Sequence, residues 1–77
     1  MKARILQMAE LDAAGALDAD AARREIVEAL RAYSKAAVLE LYAELGLVRR
    51  VGSKSEAVVR ICRFTTASSI ARAHIAY

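Results

Sequence analysis

An all-α fold follows from three features of this 77-residue chain. It holds eighteen Ala and no Pro, its three Gly lie between apolar-periodic segments, and those segments repeat their apolar residues at intervals of three and four. Ala has the best intrinsic helix propensity, and nothing here removes a backbone donor from a helix interior. The expected architecture is a small bundle of four to five short helices forming one domain over residues 1–77. A chain of this length buries only about 60% of the surface it exposes when unfolded, too little for two cores. Ala supplies much of the apolar 57% but little area to bury, so the core must come from Ile, Leu, Val, Met, Phe and Tyr.

The first helix is expected from Lys2 to about Ala14, with Ile5, Met8 and Ala9 on one face, Leu6 beside them, and Gly15 as its stop. Asp18 and Asp20 are N-cap candidates for a second helix running to about Tyr33, whose stripe is Ala22, Ile26, Leu30 and Tyr33. Ser34 can cap a third, in which Val38, Leu41, Tyr42 and Leu45 stand at i, i+3, i+4 and i+7. Gly46 would close it in the left-handed conformation, with Leu47 folding back on Tyr42. Ser53 and Glu56 have capping-box spacing, which starts a fourth helix burying Ala57 or Val58, Ile61 and Cys62. Thr65 or Thr66 is expected to cap a short fifth helix carrying Ile70, Ala71, His74 and Ile75, the alternative being a fourth helix that continues unbroken through the weak stop at residues 65–69. Tyr33 and Tyr42 are expected to pack in the core, and Tyr77 is terminal.

From about Ala36 to Arg63 the order is amphipathic helix, Gly46-Leu47 stop, short extension, Gly52-Ser53-Lys54-Ser55-Glu56, and a second helix with Val58-Val59-Arg60-Ile61. This segment resembles the SAP family, a helix-extension-helix nucleic-acid-binding module, and its LEM-like and Rho N-terminal-like relatives. In that family a Gly-Leu pair closes the first helix, and a Gly-x-Lys step opens a second that ends in a Leu-Val-x-Arg-Leu type run. The extension here is one residue longer than usual, and Ala57 stands where a large aliphatic is common. The resemblance implies a SAP-like unit in the C-terminal half and DNA as its ligand.

Charge is polarised along the chain. Residues 1–44 hold eight acids against six bases, whereas residues 45–77 hold Arg49, Arg50, Lys54, Arg60, Arg63 and Arg72 against the single acid Glu56. Such asymmetry speaks to partners rather than to fold. Free amides in the first turn of a helix form a phosphate site. Gly52 would let backbone approach, Ser53 would add a hydroxyl, and Arg49, Arg50 and Lys54 would supply charge, with Arg60 and Arg63 on the following helix. Base-reading side chains at a helical spacing are not evident, so binding should be led by the phosphate backbone and weaken steeply with salt.

Other chemistry has little support. Lone Cys62 has no disulfide or zinc companion, lone His74 has no neighbouring acid in a motif, and no residue set suggests a catalytic site, a metal or a cofactor. The N-terminus is too charged for a signal-peptide core, and no apolar run approaches the roughly 20 residues of a membrane span, so a cytoplasmic protein is expected. The expected partner is nucleic acid, foremost duplex DNA. The alternative is a small adaptor or inhibitor, of the class of phage-encoded anti-CRISPR proteins, docking on an acidic or nucleic-acid-binding protein surface. The Ala-rich first half also permits close helix approach, and with it a homo-oligomer.

Overall fold

A computed structural model describes residues 1–75, and Tyr77 lies outside them. It is an all-α bundle of five helices: α1 (Lys2–Ala13), α2 (Ala19–Leu30), α3 (Lys35–Glu44), α4 (Lys54–Thr65) and α5 (Ala67–Ile75). No strand occurs among the described residues, and none of their helices is long and apolar enough to cross a membrane.

Helix ends follow the local chemistry. Asp18 accepts from the Ala21 amide, Ser34 from Ala37 and Ser53 from Glu56, each at 3.1 Å, so α2, α3 and α4 begin at the expected caps. Gly15 and Gly46 have φ of 74° and 79°. At each, the glycine amide and its successor donate back into the last turn, Gly46 to Ala43 and Leu47 to Tyr42, which is the Schellman ending. Helix α2 stops at Leu30, three residues short of the expected end, and the Tyr33 amide then donates to the Leu30 carbonyl at 3.0 Å. This tight turn lets Ser34 open α3, and it leaves Tyr33 half-buried at the edge of the core.

The core draws on four helices. Ile5 and Met8 come from α1, Ile26 and Leu30 from α2, Val38, Leu41 and Tyr42 from α3, and Ile61 and Cys62 from α4. Small Ala22 and Ala57 are also buried, and α4 packs against all four other helices. Of the expected first-helix face, Ile5 and Met8 are fully buried, and the third member of that stripe is Asp12 rather than an apolar residue.

Helix α5 is attached differently. Thr65 and Thr66 do not cap it: their hydroxyls donate to the Ile61 and Cys62 carbonyls at 2.8 and 2.9 Å. The cap comes from α1. Asp12, 1% exposed, accepts from the Ser68 and Ser69 amides at 2.8 and 3.2 Å and from the Ser69 hydroxyl. Arg72 completes the joint by donating to the Asp12 carbonyl at 3.0 Å. Ile70, in contrast, remains 42% exposed.

Candidate nucleic-acid interface

The extension between α3 and α4 is pinned at both ends and exposed in the middle. Leu47 and Val51 pack against the core, while Val48, Arg49 and Arg50 face solvent. The Tyr42 hydroxyl donates to the Arg49 carbonyl at 2.8 Å, which ties the middle of the extension to α3. Val48 is 97% exposed, an apolar side chain with no cover at the tip of a cationic segment.

The start of α4 departs from the expected capping box in one detail. Ser53 accepts from the Glu56 amide, but the Glu56 carboxylate reaches one residue further and accepts from the Gly52 amide at 3.0 Å. Its other oxygen accepts from Arg60 at 3.1 Å. The Gly52 amide and then Arg60 hold the Glu56 carboxyl below its ordinary value, against an opposing push from burial. The protein's own carboxylate therefore already stands at the place where a phosphate was expected. Gly52 also has ordinary backbone conformation and room, since an added Cβ would come only within 3.8 Å of the Glu56 carboxylate. Close approach does not require a glycine there.

The expected cations divide between the two flanks of α4. Lys54 turns towards α2, where its ammonium donates to the Arg31 carbonyl at 3.2 Å and neutralises the end of that helix. Arg49, Arg60 and Arg63 converge on a groove of about 640 Å³ on the other flank, floored by Tyr42, Leu47 and Phe64 and bordered by Val48. Arg50 is exposed but does not line it. Among the described residues neither Arg49 nor Arg63 meets a carboxylate. Arg60 meets only Glu56, and its Nε is buried with no hydrogen-bond partner.

Val48 and Phe64 carried no functional expectation. For Val48 the available signal was its place next to Arg49 and Arg50 in a short inter-helix extension; Phe64 had none, because its position depends on how α4 packs against the extension. Burial pushes the Cys62 thiol up, with Arg23 opposing, which fits a packed and unreactive side chain. His74 lies exposed beside a separate groove between α2 and α5. No group of three metal-ligating side chains occurs among the described residues. No protein-family model, curated protein or solved structure matches the chain.

Proposed function

We propose that the chain binds nucleic acid by its phosphate backbone, through the groove where Arg49, Arg60 and Arg63 converge. The observation that carries this reading is the convergence of three guanidiniums from two separate elements, two of them without an acidic partner among the described residues. Guanidiniums donate to phosphate in a planar fork, and each phosphate neutralised releases counterions. The helix-extension-helix order from α3 to α4 agrees with a SAP-like unit, which is the family resemblance behind this proposal. Relative to the sequence expectation, the anion site moves from the first turn of α4 to its flank.

A salt titration of duplex-DNA binding tests it. The double variant Arg49→Ala with Arg63→Ala is expected to lose affinity and to flatten the log–log salt slope by about two, one per lost phosphate contact. Unchanged affinity and slope would exclude this groove.

Val48 supports a second reading, a protein-binding adaptor or inhibitor of the anti-CRISPR class. An apolar side chain 97% exposed beside three arginines suits an acidic protein surface with a small apolar recess. A protein partner retained after nuclease treatment and released by Val48→Ser favours this reading over the first.

A further inference from the structure

Helix α4 presents a solvent-facing ridge of Ser55, Val59 and Arg63, spaced at i, i+4 and i+8 and all exposed. Val59 is 49% exposed although it is a large apolar side chain. The arginine groove lies on one side of this ridge. On the other side, between α2 and α4, lies a second groove of about 390 Å³ floored by Val27 and Val58, with Arg31 and Lys54 on its margin. Val27 and Arg31 are shared with a shallow channel along α2 that is also lined by Arg23, Arg24 and the acid Glu28. Arg24 has no carboxylate partner among the described residues, and Arg31 has only Glu28 at 3.5 Å, a pair in which both side chains are 72% exposed. Exposed pairs of this kind contribute little and release readily. Thus α2, in the acidic half of the sequence, carries Arg31 on the margin of the α2–α4 groove and Arg24 on its outer face next to it, with Glu28 between them.

We infer that α4 docks in the major groove of B-form duplex DNA, with Arg49, Arg60 and Arg63 on the phosphates of one strand and Arg24, Arg31 and Lys54 on those of the other. The inference rests on the nucleic-acid reading above and adds the groove that α4 enters and a second contact surface. An α-helix with its side chains is about 10–12 Å across, and the major groove of B-form DNA is about 12 Å wide. Cations on both flanks of one helix therefore match the two phosphate rows that border that groove. A single strand offers one row, and the major groove of duplex RNA is too narrow and deep to admit a helix. The ridge itself brings to the base edges only a hydroxyl on Ser55 and an aliphatic surface on Val59, the latter suited to a thymine methyl, so the phosphate contacts lead the binding.

The test compares a short mixed-sequence DNA duplex with the RNA duplex and the DNA single strand of the same sequence, by fluorescence anisotropy at several salt concentrations. The DNA duplex should bind about tenfold more tightly than either alternative, and Arg24→Ala with Arg31→Ala should flatten its salt slope by about two. Saturating protein should also reduce dimethyl sulfate methylation of guanine N7, which lies in the major groove. Circular dichroism of the double variant should match the parent, because both side chains are exposed. Equal affinity for the single strand, unprotected N7 on a bound duplex, or an unchanged slope in the α2 variant overturns the inference. If Arg49→Ala with Arg63→Ala weakens binding while the α2 variant does not, the single-groove reading stands and this one falls. Absence of binding to all three ligands removes both.

Discussion

Asp12 and Glu56 perform the same chemistry in two regions of the molecule, with very different reach. Each is a carboxylate that accepts from backbone amides at or beside the first turn of a helix and also faces an arginine. Glu56 belongs to the helix it helps to start and keeps 42% of its side chain exposed. Asp12 belongs to α1, caps a helix 56 residues away in sequence, and has a side chain 2% exposed. A local exposed cap refines where one helix begins. A buried distant one decides whether another helix is attached at all, because the described part of α5 contributes no buried apolar side chain to the core.

The largest effect should therefore come from Asp12→Ala. It removes three hydrogen bonds at once and leaves the Ser68 and Ser69 amides unpaired, a loss of about 2–3 kcal/mol in which cap and desolvation costs combine. Hydrogen exchange should show α5 opening while the α2, α3 and α4 amides stay protected. If Asp12→Ala melts with the parent and keeps α5 protected, packing rather than this cap holds the helix.

That contrast also sets how much of the fold was legible. Asp18, Ser34 and Ser53, Gly15 and Gly46, and the stripes of α2 and α3 were readable because each acts within about one turn of itself. Asp12 was not, because a single acid on a helix has no local pattern that reveals a partner on a distant one. In the candidate site the same divide applies. The cations were evident from composition and Ser53 from its spacing, but the separation of Lys54 from Arg49, Arg60 and Arg63 depends on α2 standing beside α4, which no local spacing encodes.

Acid sharpens the comparison next. Burial pushes the Asp12 carboxyl up, but the Ser69 hydroxyl, the Ser69 and Ser68 amides and Arg72 together hold it below its ordinary value. The unfolded chain thus binds that proton more readily than the folded one. The stability from Asp12 is full above the ordinary aspartate value of about 3.9 and is lost as pH falls through the lower folded value. Thermal melting from neutral pH downwards should show a fall in Tm that begins near pH 4, with a visibly shallower fall in Asp12→Ala. Identical pH profiles for the two proteins would mean that Asp12 is not the group responsible.

A smaller effect is expected at Gly46, where the left-handed φ of 79° allows the chain to leave α3 and enter the cationic extension. An added Cβ meets nothing within 4 Å, so Gly46→Ala should cost only the backbone strain of that conformation, about 1 kcal/mol. Its effect on nucleic-acid affinity should be slight if the Tyr42 hydroxyl continues to hold the Arg49 carbonyl.

The smallest stability effect is expected at Glu56, and it is the most informative about the site. Glu56→Gln keeps an oxygen that can accept from the Gly52 amide but removes the charge that holds Arg60. The melting temperature should hardly move, since the carboxylate is exposed and its charge is screened by solvent. Binding should respond in the opposite sense to every arginine variant: releasing Arg60 and removing a negative charge beside the groove should strengthen DNA binding and steepen its salt dependence. Weaker binding in Glu56→Gln would instead mean that the carboxylate positions Arg60 for its ligand. An unchanged affinity would place Arg60 outside the contact surface and leave Arg49 and Arg63 as the groove's working cations.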